Sequence, residues 1–298
     1  MSRDRRARPA RGGWKTLARF TVVGLYFARA NLAWIPKHRP LNIQLLPSSF
    51  DADGRATSAQ RLTCFLIDER VTVDAGSIGI ALTEAQRRTV RDVIVTHPHM
   101  DHIASLPIYV DDLFAEVEEP IRIHATQEVI DLLKRDVFND NVYPRFDVLR
   151  NERGPVMQYV PFVIGKEFRI AHLTVTAVPV NHIVPTVGLL VSDGQTIVAF
   201  SSDTAETEGF WAMINRAPRI DALFIEASFP NSMRQLAEAS KHLTPEMLSK
   251  ELGKLNHNSM DILAVHLKPA YRETVAKELT ALGIDNLSVM EPGRVYEW

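Results

Sequence analysis

Two periodicities divide the chain. Beyond Pro36 and Pro40, short runs of β-branched and aromatic residues alternate with stretches where apolar residues recur every three to four positions. The first kind predicts strands over 42–46, 63–67, 71–74, 92–96 and 121–124, and a second set over 173–178, 187–191, 196–200, 222–225, 262–265 and 287–290. Turn pairs such as Asp53-Gly54, Asp68-Glu69 and Asp193-Gly194 punctuate them. The second kind predicts helices over 83–89, 127–138, 208–215, 245–255 and 270–282. Thr126 is placed to cap the second helix, and Thr244-Pro245 supplies a cap followed by proline at the first helical position. Gly283 stands where a left-handed glycine would end the last one. Strands and helices interleaved in two sets of similar length predict a layered α/β fold. No linker separates the sets, so 41–298 is expected to be one domain.

Charge changes this picture at the front of the chain. Residues 1–40 hold ten basic side chains against one acid, Asp4, whereas the remainder holds 24 against 35. Such a basic extension on an acidic body points to an anionic membrane surface or an address signal. Its apolar stretch, 20–28, lies between Arg19 and Arg29 and is far shorter than the roughly 20 residues of a spanning helix. The small residues of Ala28-Arg29-Ala30 suit an export signal. The extension is expected to be a loosely packed amphipathic segment on a cytoplasmic enzyme, with contact to an anionic membrane surface or export as the alternatives and a second copy of the chain as a candidate partner. The one cysteine, Cys64, excludes both a disulfide framework and a cysteine-built zinc site, so any metal must sit on histidines and carboxylates.

The chemistry concentrates in Thr96-His97-Pro98-His99-Met100-Asp101-His102, where an apolar strand runs into four metal-type ligands. Imidazole and carboxylate suit zinc, manganese or iron. Four such groups so close together cannot all meet one ion along with distant ligands, but two ions resolve the geometry. His182, Asp203 and His266 each follow an apolar strand, and in an α/β fold residues at equivalent strand ends gather at one edge. Taken alone, His182 or His266 would be a strand-end histidine and Asp203 a turn former; beside the cluster they become ligands. His38, His172 and His257 are expected to be solvated, His124 structural and Cys64 inert core.

The motif around His97 resembles the signature of the metallo-β-lactamase superfamily, and Asp74-Ala75-Gly76 resembles its preceding motif. The resemblance implies a four-layer αββα sandwich. It also implies two divalent ions, with zinc expected and manganese or iron as alternatives. His97, His99 and His182 would hold one ion, Asp101, His102 and His266 the other, with Asp203 bridging and Asp74 orienting ligands. Within the superfamily, three segments are similar to the class II 3′,5′-cyclic-nucleotide phosphodiesterases. They are 136–146, Phe224-Ile225-Glu226-Ala227-Ser228-Phe229, and His242-Leu243-Thr244-Pro245. Tyr143 stands where those enzymes carry tryptophan.

That likeness implies hydrolysis of cyclic AMP or cyclic GMP by hydroxide shared between the ions. Asp101, Glu226 and His242 are the candidate catalytic residues. His242, oriented by Glu226, is expected to contact the phosphate or protonate the departing oxygen, and Tyr143 or Phe146 to stack on the base. The alternatives are an endoribonuclease of the tRNA 3′-processing type, a lactonase or thioesterase, and a non-enzymatic sensor. Against the first stands an acidic body without a long basic arm between its motifs. The next two leave His242 unexplained, and the sensor would be expected to lack ligands that are all here.

Overall fold

The computed structural model describes residues 39–298. Residues 1–38 of the basic extension, with its membrane and export readings and His38, lie outside the described residues. In chain order the strands are β1 (Asn42–Leu45), β2 (Phe65–Ile67), β3 (Val71–Val73), β4 (Asp92–Ile94), β5 (Ile121–Ala125), β6 (Arg150–Asn151), β7 (Gly154–Pro155) and β8 (Met157–Pro161). Then follow β9 (Glu167–Ile170), β10 (Leu173–Pro179), β11 (Val187–Ser192), β12 (Ile197–Phe200), β13 (Ala222–Glu226), β14 (Asp261–Val265), β15 (Leu287–Val289) and β16 (Val295–Glu297). They build two sheets of seven strands, ordered β16-β1-β2-β3-β4-β5-β8 and β15-β14-β13-β12-β11-β10-β9, plus the small β6–β7 hairpin.

The two sheets repeat one plan. In the first, β16, β1, β2 and β3 pair antiparallel, and β3, β4, β5 and β8 pair parallel. In the second, β9 to β12 pair antiparallel and β12 to β15 parallel. Parallel neighbours need crossovers, and these carry the helices. Alternation along β10 sends Leu173, Val175 and Ala177 inward, where they meet Ile43, Phe65 and Val73 of the other sheet. A second core lies between the first sheet and its helices, built on Val93, Leu106, Tyr109 and Leu133. A third lies between the second sheet and its helices, built on Phe210, Ile225, Leu248 and Val275. Three cores make four layers, the expected αββα sandwich. Each fully buried large apolar side chain contributes about 1.5–3 kcal/mol to holding them together.

All eleven predicted strands and five predicted helices form, with ends shifted by a few residues. The caps also hold. The Thr126 side chain accepts from the Val129 amide, the Thr244 side chain accepts from the Met247 amide, and Gly283 adopts φ +65°.

Four strand segments escaped the sequence reading: the β6–β7 hairpin, β8, β9 and β16. They are short, and β8, β9 and β16 lie at sheet edges, where one side needs no partner and the alternation is diluted by polar residues. The helix Leu106–Asp112 escaped for another reason. Its Ile-Tyr-Val run reads as strand, yet Pro107 sits in its first turn and Leu106, Tyr109 and Val110 bury on one side.

Candidate metal centre

The carboxyl ends of several strands deliver the candidate ligands to one place. His97, His99, Asp101 and His102 follow β4, His182 follows β10, Asp203 follows β12, and His266 follows β14. They fall into two groups whose donor atoms each lie within 4.8 Å of one another: His97, His99, His182 and Asp203; and Asp101, His102 and His266. Asp203 faces both. Its Oδ2 is 3.6 Å from His97 Nε2 and 4.0 Å from His182 Nε2, while its Oδ1 is 3.4 Å from His102 Nε2 and 3.4 Å from His266 Nδ1.

This donor set fits divalent cations. His97 Nε2 and His102 Nε2 are buried and have no hydrogen-bond partner. Leaving such a group unpaired costs about 1–3 kcal/mol, and a cation is the partner both nitrogens lack. Burial lowers the His97 pKa, keeping its ring neutral. Burial acts against ionising Asp203, but the His266 and His102 charges hold it well below the usual carboxylate range. Neutral imidazole and ionised carboxylate are the ligating forms. His102 goes the other way: burial opposes its charge, yet Asp203 and Asp74 raise its pKa overall, so a cation binding there displaces a proton.

The layer behind the ligands sets their orientation. His102 Nδ1 donates to Asp74 Oδ2 at 2.7 Å, which turns its Nε2 toward the group. Asp74 Oδ1 also accepts from the Thr96 amide at 2.8 Å. Gly76 follows because a Cβ there would lie 2.1 Å from the Asp101 carbonyl oxygen. His182 Nδ1 donates to the Lys241 carbonyl at 3.0 Å. Asp74, Ser202, Lys241 and His266 all hold left-handed backbone, with φ of 61°, 55°, 53° and 60°. Non-glycine residues rarely adopt it, and four of the eight that do among the described residues border this site.

Glu226, the last residue of β13, is buried and ties three segments together. It accepts from the Thr204 amide at 3.0 Å, the Ser228 hydroxyl at 2.8 Å, His242 Nδ1 at 2.7 Å and the Leu243 amide at 3.2 Å. His242 therefore stands beside the ligands: it forms a further group with Asp203 and His266 within the same 4.8 Å, and its ring stacks on His266 at 5.4 Å. Burial opposes its charge, but the Glu226 carboxylate raises its pKa overall.

Residues 68–266 match the family described as "Beta-lactamase superfamily domain". The chain belongs to this superfamily. Two curated relatives of this superfamily member are a probable 3′,5′-cyclic-nucleotide phosphodiesterase of Yersinia pestis and 3′,5′-cyclic-nucleotide phosphodiesterase 1 of Saccharomyces cerevisiae. The first is 25% identical over 63% of this chain and 60% of the relative's length. The second is 23% identical over 87% of this chain and 83% of the relative. Among solved structures, unliganded yeast PDE1 superposes with a TM-score of 0.71 at 17% identity, covering 87% of this chain and 99% of that one. Human tRNase Z, short form, superposes with a TM-score of 0.58 at 14% identity, covering 86% and 98%. At these identities the superpositions establish the metallo-β-lactamase fold.

Some expectations fail. Phe146 is buried against Phe114, Phe138 and Tyr143, so it has no face to offer a base. The Tyr143 hydroxyl donates to Asp111 Oδ2 at 3.2 Å, and its ring packs on the helix-side core of the first sheet. His172 is exposed, as expected, while pairing with Asp68 at 2.7 Å; His257 is half-buried instead, its Nε2 3.0 Å from the Ile214 carbonyl. His124 is structural, its Nε2 2.8 Å from Asp92, and Cys64 is buried with its thiol pKa raised by burial. Two site residues escaped notice. Ser228, inside a segment already singled out, sits 3.0 Å from His266 Nδ1. Lys268 reaches Asp101, and a lone lysine after a strand carries no sequence signal.

Proposed function

We propose that the chain is a metal-dependent phosphodiesterase that hydrolyses 3′,5′-cyclic nucleotides, cyclic AMP or cyclic GMP, to 5′-monophosphates. The observation that carries this reading is the buried His242–Glu226 pair set against Asp203 and His266. The names of the two curated relatives support it. His97, His99, His182 and Asp203 would hold one divalent ion, and Asp101, His102 and His266 the other, with Asp203 shared; zinc suits this donor set, as do manganese and iron. Such ions supply Lewis acidity, which activates water and offsets charge on the phosphate.

The chain's own residues do the rest. Glu226 accepts the Nδ1 proton of His242, fixing the ring and leaving Nε2 for the substrate. When the 3′ P–O bond breaks, the leaving alkoxide has a high pKa and needs a proton. Imidazolium His242 supplies it from Nε2 while the water oxygen bonds to phosphorus; the proton the water gives up passes to solvent, from which His242 is reprotonated. The apolar floor formed by Phe65, Phe200 and Phe224, with Phe200 and Phe224 stacked at 4.5 Å, keeps the back of the site dry and strengthens these charge interactions.

Because the fold is shared with a tRNA-processing enzyme, the substrate is decided by assay. Purified protein should turn over cyclic AMP or cyclic GMP and release the 5′-monophosphate. Turnover of precursor tRNA or of lactones, with cyclic nucleotides untouched, would overturn the reading.

A further inference from the structure

Lys268 places a positive charge inside one ligand group and not the other. Its Nζ lies 3.1 Å from Asp101 Oδ2 and 3.4 Å from His266 Nε2, and those two atoms are 3.2 Å apart. The three atoms form a nearly equilateral triangle, two corners of which belong to the Asp101–His102–His266 group. The Lys268 backbone is held at both its polar groups. Its amide donates to the Ser228 carbonyl at 3.3 Å, and its carbonyl accepts from the Tyr271 amide at 2.9 Å. The base of the side chain is therefore fixed, while its flexible four-carbon stem leaves the ammonium free to swing. At the other group, Lys241 accepts from His182 through its backbone carbonyl, while its Nζ donates to Asn181 Oδ1 at 2.9 Å. Among the described residues no lysine or arginine nitrogen pairs with Asp203, whose charge partners are histidines.

An ammonium has three donors and no lone pair, so it cannot share these atoms with a metal ion as a ligand would. Its charge also repels a dication, most strongly where the surroundings are partly dry. We infer that the Lys268 ammonium is an internal counter-cation of the Asp101–His102–His266 group, so that metal ions enter in order. The His97–His99–His182–Asp203 group fills first, and the Lys268-guarded group fills second and more weakly. The inference rests on the reading that these groups bind metal.

Zinc titration of the chelator-stripped, full-length chain by calorimetry separates the two ideas. Wild-type protein should show two resolved phases. Lys268→Met keeps most of the stem without the charge, and should tighten the second phase by about tenfold or more while leaving the first unchanged. Lys268→Arg keeps the charge and should leave the second phase weak. Two ions entering the wild type in one unresolved phase, or a second phase that Lys268→Met does not tighten, would overturn the inference and leave metal binding intact. No zinc uptake by the wild type would overturn both. Melting of the same samples adds an independent readout. Stripped Lys268→Met should melt below stripped wild type, because Asp101 has lost its cation, whereas the zinc-saturated variant should melt no lower than its wild-type counterpart. A deficit that zinc does not remove would make Lys268 an ordinary structural ion pair and overturn the inference.

Discussion

Four hydrogen bonds end on the Glu226 carboxylate, and only one of them comes from His242. Glu226 is thus a framework residue as much as a partner for the histidine, and substituting it would disturb the Asp203 and His242 segments together. His242 is the cleaner probe, since on this reading it holds a proton for the leaving group and ligates nothing. His242→Ala should leave the metal content at the wild-type level and lower kcat on a cyclic nucleotide by roughly 10²–10⁴-fold, the usual worth of a positioned acid. On a bis-aryl phosphodiester, whose phenolate departs unprotonated, the loss should be much smaller. Equal losses on both substrates would reduce His242 to a phosphate-binding group.

At the scale of elements, neighbouring strands are fastened by charge as well as by their ladders. Asp92 on β4 accepts from Arg122 on β5 at 2.7 and 2.8 Å and pairs with His124 at 2.8 Å. Burial works against its ionisation, but these two partners hold its pKa well below the usual carboxylate range. A depressed folded-state pKa stabilises fully above the unfolded value, about 3.9, and that contribution fades as pH falls below it. Asp92→Asn should cost about 1–3 kcal/mol at neutral pH, less than a fully buried pair because the Arg122 side chain is 30% exposed. Denaturant midpoints should show the gap to wild type narrowing between about pH 4 and pH 2; an undiminished gap would assign it to packing.

The same element pair shows what the sequence carried. β4 and the ligand cluster were legible because apolar strand and chelating loop are continuous in the chain, and the strand ends before His182, Asp203 and His266 were marked by apolar runs alone. The tie between Glu226 and Thr204, and that between Lys268 and Asp101, join residues 22 and 167 positions apart, and no local pattern encodes them. The base-stacking assignment failed at Phe146, which looked available because local sequence does not say which side of a loop faces the core.

Across the whole molecule, metal and fold should be thermodynamically linked, because ligands from both sheets meet at Asp203. Ligand bound at 1,000 times its dissociation constant adds about 4 kcal/mol, and each kcal/mol moves the melting temperature of a domain this large by roughly 2–4 °C. Chelation should therefore lower melting by about 8–16 °C, and metal analysis of loaded protein should find about two equivalents. An unchanged melting temperature would mean that metal bound at the cluster adds nothing to the stability of the fold. The left-handed backbone at Asp74, Ser202, Lys241 and His266 has a consequence for heat. Each such residue stores on the order of 1–3 kcal/mol, released as soon as its loop can relax. Those loops, rather than the sheets, should then set the working temperature. On warming, amide hydrogens around 201–205 and 240–243 should exchange, and activity should fade, several degrees before β12, β13 and β14 give way.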